Sequence, residues 1–216
     1  MTRKEISETL LGMISPIVEP IGFIKQKSPD GILYRRLTHF GFNDIPLLIW
    51  EYDDLFYLSI GFLIRIDDLN KIFVYYGNYV IYEKDETVTI AADIQTLGYE
   101  QDRRIKVQTS DDLSAAIKIL KEILMDKGLS FFEKFQTVKS IDDELNRNNR
   151  PPNLYCDDIM HRTIIGLTAA ALNHNPKFSY WEEFYRDRLK NASQSRKDKY
   201  EQLTRHLKDK VLTQSN

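Results

Sequence analysis

The chain has 216 residues, with 30 basic against 32 acidic side chains, one cysteine and nine glycines. Hydrophobic residues at 42% and charged residues at 29% are those of an ordered, water-soluble domain, and they exclude disordered, collagen-like and coiled-coil classes. A net charge of -2 gives no global pull toward nucleic acid or an anionic membrane, and the lone Cys156 can complete neither an intramolecular disulfide nor a multi-cysteine zinc site, which points to the cytoplasm.

Ile6, Leu10, Met13 and Ile17 recur at intervals of four, three and four, which predicts an N-terminal helix with Leu11, Ile14 and Val18 beside that seam. Arg3 and Lys4 precede an apolar stretch, but Glu5 and Glu8 interrupt the approach and Pro16 lies inside it, so it does not fit a signal peptide. Pro16 predicts a kink, or a second turn capped by Ser15, before Pro20 and Gly22 end the helix. No stretch reaches the roughly 18 uninterrupted apolar residues that a membrane-spanning helix requires.

From Gly22 to about Val107 the pattern changes to period two, with strands expected at 22–27, 32–38, 45–52, 55–66, 71–76, 79–83, 87–92 and 104–108. Ser28-Pro29-Asp30-Gly31 is a turn signal between the first two. The clearest strand alternates Phe56, Leu58, Ile60, Phe62, Ile64 and Ile66 with Leu55, Tyr57, Ser59, Gly61, Leu63 and Arg65, so its first face is expected to line the core. Segment 45–52 is apolar on both sides and reads as a central strand covered from both faces. The short connections imply antiparallel neighbours, because a parallel pair needs a crossover of roughly a dozen residues.

Ser110 with Asp111 and Asp112 predicts a helix start, and Leu113, Ile117, Leu120 and Leu124 carry it to Gly128. A short helix through Phe131, Phe132 and Phe135 follows, then another opened by Ser140. The run from Asn146 to Pro152, dense in Asn, Arg and Pro, is the expected boundary between a domain at 1–150 and a helical segment at 151–216. Three amphipathic helices are expected beyond it, at about 157–173, 179–192 and 195–212, the second opened by a capping box from Ser179 to Glu182.

Motif chemistry is sparse. The closest glycines stand nine positions apart, so neither a dinucleotide fingerprint nor a phosphate-cradling loop can be written, and no cofactor is implied. Acidic doublets such as Asp111-Asp112 and Asp142-Asp143 fall in expected first turns of helices, where the macrodipole favours negative charge without catalysis. His161, with Asp157 and Asp158 one turn earlier, is the best single proton-transfer or metal candidate, although two ligands do not make a zinc site. It also flanks the core seam, where a partly buried histidine bonded to Asp157 serves structure alone.

The tail from Arg186 to Lys210 holds nine basic and four acidic residues, an excess of five that could follow a phosphate backbone or simply solvate two helices. Tyr34, Arg36, Tyr57, Arg65 and Tyr75 form a softer constellation on the sheet face opposite the most apolar one, and tyrosine with arginine is the chemistry of protein interfaces. Coverage of these five by neighbouring elements is the competing reading.

Pro20-Ile21-Gly22-Phe23 with Lys25 after an N-terminal helix, Tyr34-Arg35-Arg36 on the next strand, Asp111-Asp112-Leu113 opening a helix, and Gly128-Leu129-Ser130-Phe131-Phe132-Glu133-Lys134 occur in an order that resembles an uncharacterised bacterial domain-of-unknown-function family. The resemblance covers about residues 1–145. It implies a small cytoplasmic α+β protein without established activity, linked in some relatives to toxin-immunity loci, and it carries over no functional residue. The aromatic stretch between Trp50 and Tyr82 departs from that pattern.

Together these readings predict an α+β fold with an antiparallel sheet, an N-terminal helix and a mainly helical C-terminal half. The expected function is non-enzymatic protein binding, as in an immunity or accessory protein, with another protein as the partner. The alternatives are an enzyme using His161 with Asp157 or Asp158, and nucleic-acid binding through the basic C-terminal helices.

Overall fold

The computed structural model describes residues 1–53, 55–77, 86–100, 102–147, 155–156 and 158–212. In chain order the elements are α1 (Arg3–Val18), β1 (Ile24–Gln26), β2 (Gly31–Thr38), β3 (Gly41–Tyr52), β4 (Leu55–Ile66), α2 (Asp67–Tyr76), β5 (Ile90–Asp93), β6 (Ile105–Val107), α3 (Ser110–Ile123), α4 (Leu129–Lys134), α5 (Val138–Leu145), α6 (Ile159–Leu172), α7 (Phe178–Arg188) and α8 (Gln194–His206). This is the expected α+β protein, with an antiparallel sheet, an N-terminal helix and a helical second half. Contacts divide the chain into two compact units, each built from two stretches: 1–64 with 91–134, and 65–90 with 135–216. That division differs from the linear one at residue 150 that the composition suggests, and residues 148–154 lie outside those described.

In the first unit α1 starts at a capping box. The Thr2 hydroxyl accepts the Glu5 amide, and the Glu5 carboxylate accepts the Thr2 amide. The helix continues through Pro16 as one element to Val18, and Gly22, at φ 91, closes the 3-10 turn that follows. Its buried seam is Ile6, Leu10, Ile14 and Val18 rather than the seam through Met13, which is 43% exposed. Four-residue steps drift by only about 40° per turn on a helix of 3.6 residues per turn, so both spacings fit one face until packing selects between them.

The sheet runs β1-β2-β3-β4-β5, with β6 also pairing β4. The β2–β3 register sets Tyr34 opposite Ile45 and Arg35 opposite Asp44. Every even-numbered position of β4 is buried and every odd one partly exposed, so its side chains sort by face without exception, as the alternation predicts. Phe132 of α4 approaches Phe23 and Phe62 at ring-centroid distances of 5.5 and 5.9 Å, closing the core over the even face. Segment 45–52 is central as expected, but its second face is not closed, since Pro46, Leu48 and Trp50 remain partly exposed.

Two sequence expectations need correction here. Segment 71–76 belongs to helix α2, not to a strand: Leu69, Phe73 and Tyr76 are buried at steps of four and three, and Asp67 and Asp68 occupy its first turn. Its aromatic content imitates β-propensity, whereas its spacing is helical. Helix α3 is capped by Thr109, one residue before Ser110. The strand expected at 79–83 lies outside the described residues.

The second unit is helical around α6, which is buried from Met160 to Ala171 and packs against α2, α5, α7 and α8. A helix apolar on every side is stable only when surrounded in this way. Helix α7 begins at Phe178 after Lys177, so the capping box expected from Ser179 to Glu182 does not form, and Glu182 is buried instead. No helix among the described residues is long and apolar enough to cross a membrane.

A Cβ added at Gly128 would lie 2.2 Å from Cε1 of Phe62, whose ring is fully buried. Gly128→Ala is therefore expected to cost about 1–3 kcal/mol, the usual cost of overpacking, and urea unfolding should show it as a lower midpoint. An unchanged midpoint would mean that the Phe62 ring is not held where the packing places it.

Candidate functional site

Three features carry enough chemistry to be candidates, and two lie in the helical unit. In the first, α5 buries Asp142, which is 1% exposed. Its two carboxylate oxygens accept the side-chain amides of Asn146 at 2.6 Å, Asn173 at 2.6 Å and Asn175 at 2.9 and 3.0 Å. Asn146 also donates to the Gly166 carbonyl at 2.8 Å and accepts the Tyr185 hydroxyl at 2.8 Å. The buried Arg162 donates to the Leu145 carbonyl and also lies in hydrogen-bonding reach of Tyr185.

Burial pushes the Tyr185 hydroxyl well above its ordinary range, with Arg162 opposing, so it stays protonated and donates. A cleft of about 630 Å³ opens over this network, with Asp143, Arg147, Lys177 and Tyr180 lining it above Asp142 and Asn146. With four amide contacts on two oxygens, the Asp142 carboxylate is filled as an acceptor, so the arrangement fixes helices and loops rather than offering a reactive group.

The second feature contains the residue singled out by sequence. His161 stands in the first turn of α6, 3% exposed, stacked on Phe73 at 4.4 Å between ring centroids and 23° between planes. Its Nε2 meets the Thr89 carbonyl at 3.0 Å, and because a carbonyl can only accept, Nε2 carries the proton. Asp158 does come close, but through the chain rather than the ring: its carboxylate caps α6 by accepting the His161 amide at 2.8 Å, and it pairs with Arg196 at 3.2 Å. Asp157 lies outside the described residues. The adjoining pocket, about 150 Å³, is walled by Phe73, Tyr76, Arg196 and Lys199. Among the described residues no three His, Cys, Asp or Glu side chains gather as a metal-binding group.

The third feature is the odd-numbered face of the sheet in the first unit, and here the expected constellation separates. Tyr34 is fully buried, its hydroxyl 2.7 Å from Oγ of Ser15. Arg36, two positions along the same strand, lies over the rings of Phe23 at 4.7 Å and Phe132 at 5.9 Å. The register explains both, because Tyr34 pairs with buried Ile45 and so shares the core-facing side. Tyr57 does project from the other face, edge-on to Tyr52 at 5.8 Å. Arg65 pairs with Asp67 at 2.7 Å and donates to the Thr87 carbonyl, while Tyr75 is 77% exposed on α2, so both belong to the second unit.

What accompanies Tyr57 on that face was not singled out. Leu33, Pro46, Leu48, Trp50 and Leu63 are all partly exposed there. Arg104 lies over the Trp50 ring at 4.3 Å. Arg35 forms a two-pronged pair with Asp44 at 2.8 and 2.7 Å while covering the Phe42 ring at 3.8 Å. The β2–β3 register, which pairs Leu33 with Pro46 and Arg35 with Asp44, is what gathers these residues on one face, and the sequence does not contain it.

Four of the nine basic residues of the tail form ion pairs within their own unit: Arg186 pairs with Glu182 and Glu201 at 3.0 Å each, Lys190 with Asp187 at 3.2 Å, Arg196 with Asp158 at 3.2 Å and Lys208 with Glu182 at 2.8 Å. Neither a family model, a curated protein nor a solved structure matches this chain.

Two predictions follow from the helical unit. Tyr185→Phe removes the hydroxyl shared by Asn146 and Arg162 and should lower the unfolding free energy by about 1–3 kcal/mol in a urea titration, the cost of leaving buried polar groups short of a partner. A loss below a few tenths would show that the network does not need this hydroxyl.

Burial pushes the Glu182 carboxyl up, but Lys208 and Arg186 outweigh it and hold the group below the ordinary glutamate value. A depressed native value stabilises above the unfolded one and is lost as pH falls through the native one. Glu182→Gln should therefore be less stable than wild type at neutral pH, with the gap closing in acid. Thermal unfolding across that range checks it, and a pH-independent gap would refute it.

Proposed function

We propose that the protein is a non-enzymatic binding module that holds a partner protein on the odd-numbered face of its sheet, working in the cytoplasm as an immunity or accessory protein does. The observation that carries this reading is the composition of that face: Leu33, Pro46, Leu48, Trp50, Tyr57 and Leu63 are partly exposed together on one side of a sheet whose other side is already closed. A sheet face that meets only water normally alternates to polar residues, so an apolar one is a surface built to be covered.

Its chemistry is that of interface centres, where aromatic rings and arginine concentrate. The Arg35–Asp44 pair and the Arg104–Trp50 stack are already formed, so docking would order few side chains there. The single cysteine, the buried Cys156, is in keeping with a reducing compartment.

The enzyme alternative draws less support, because His161 has a ring bond to Thr89 and a stack on Phe73, and Asp158 is engaged as a helix cap and with Arg196. Nucleic-acid binding through the tail loses support from the ion pairs of Arg186, Lys190, Arg196 and Lys208.

The test is capture from native lysate by wild type and by a Leu48→Lys/Trp50→Ala double variant, with far-UV circular dichroism to confirm that the variant folds. Wild type is expected to retain a stoichiometric protein that the folded variant releases. Recovery of no stoichiometric partner, or equal recovery by both, would reject this function.

A further inference from the structure

The apolar face of the sheet carries an unbalanced charge at one end. Trp50 and Tyr52 stand at the end of β3, Tyr57 follows on β4 with its ring 5.8 Å from that of Tyr52, and β6 sets Lys106 opposite Tyr57. Alternation puts Arg104, two residues before Lys106, on the same side, and its guanidinium lies over the Trp50 ring at 4.3 Å. All of these residues belong to the first unit.

Two other arginines beside the sheet have acids of their own. Arg35 holds the Asp44 carboxylate with two bonds, at 2.8 and 2.7 Å, and Arg103 pairs with Asp93 at 2.8 Å. Arg104 and Lys106 differ: both are exposed, and neither makes an ion pair among the described residues. Of the acids near them in the chain, Asp102 pairs with neither, and the Asp112 carboxylate accepts the amides of Gln108 and Thr109 at 3.0 and 2.9 Å. Two positive charges therefore stand beside the partly exposed Trp50 and Tyr57 without a counter-charge.

We infer, on the basis of the binding face proposed above, that the partner presents an acidic protein surface, setting Asp or Glu side chains against Arg104 and Lys106 and apolar side chains against Leu48, Trp50 and Tyr57. Any partner that covers Trp50 also takes water from the guanidinium stacked on it, which costs free energy unless an acid arrives with it. Carboxylates at these positions turn that cost into attraction, speed the encounter and exclude basic competitors. A nucleic acid also supplies anions, but its phosphates would leave Leu33, Pro46, Leu48 and Leu63 uncovered, whereas a protein segment covers both.

Panning a phage-displayed library of random peptides on the full chain tests this, with affinities of the selected peptides then measured by fluorescence anisotropy. Wild type is expected to select peptides that combine Asp or Glu with aromatic or aliphatic residues, and their affinity should fall as salt rises. Arg104→Glu and Lys106→Glu should each weaken them by about two- to fivefold, the range of an exposed ion pair. The double variant R104E/K106E should select Lys- or Arg-bearing peptides in their place, which also shows that it folds. Peptides that Leu48→Lys/Trp50→Ala releases but that lack acids, or that bind R104E/K106E as well as wild type, would overturn the acidic partner and leave the face as the binding site. No selected peptide, or peptides indifferent to Leu48→Lys/Trp50→Ala, would reject the face and the acidic partner together. Tighter binding of an oligodeoxythymidine than of any selected peptide, lost in R104E/K106E, would assign the two cations to nucleic acid and overturn the inference.

Discussion

Asp142 and Arg162 carry opposite charges, both are buried in the helical unit, and Asn146 and Tyr185 stand between them. A buried charge is tolerated only when its hydrogen-bonding capacity is met, so the positions of these four residues are mutually constrained. The constraint reaches far along the chain: Asn146 ends α5, Arg162 and Gly166 lie on α6, Tyr185 lies on α7, and Asn173 and Asn175 sit in the connection between those two helices. Moving any one helix by an ångström would break several of these bonds together. Gly166 shows how close the approach is, since a Cβ there would lie 2.2 Å from the Tyr185 hydroxyl. Apolar burial drives α6 inward from every side, and this polar chain decides the angle at which its neighbours meet it.

The first unit is organised by a simpler rule, the alternation of β4. Because one set of its residues is apolar at every position, the helices can only close that side, and the register of β2 and β3 then sorts Tyr34 and Ile45 onto the core side and Arg35 with the buried Asp44 onto the other. The odd face is left with a different task. Arg35 is held there by Asp44 and Phe42 and Arg104 by Trp50, while Lys106, opposite Tyr57, is exposed.

Much of this was legible in the sequence wherever periodicity was strong. The faces of β4, the start of α3 within one residue, and the helical second half follow from spacing alone. Where the reading diverged, the cause is specific. Helix α2 is rich in aromatic residues between strands, so composition outvoted a spacing that was helical throughout. Tyr34 and Arg36 needed a pairing register to be placed, and a single chain read in isolation contains none. The Asp142 network was invisible for a different reason: its members come from four separate stretches, and only the three-dimensional meeting of α5, α6 and α7 makes them one site.

His161 shows why proximity in sequence is a poor guide to chemistry. Spacing placed a carboxylate and an imidazole within one turn, and the structure keeps them within one turn, yet the carboxylate serves the backbone amide and the imidazole serves a carbonyl in a different segment. Each polar group is engaged in holding the N-terminus of α6 against α2 and the chain beside Thr89. The same economy holds at Asp142 and along the ion pairs of the C-terminal helices, where Glu182 and Glu201 receive Arg186 and Glu182 also receives Lys208. At His161, Asp142 and Glu182 polar groups therefore fix geometry, and the partly exposed Leu33, Pro46, Leu48 and Trp50 on the odd face of the first unit are the apolar surface on which the proposed binding rests.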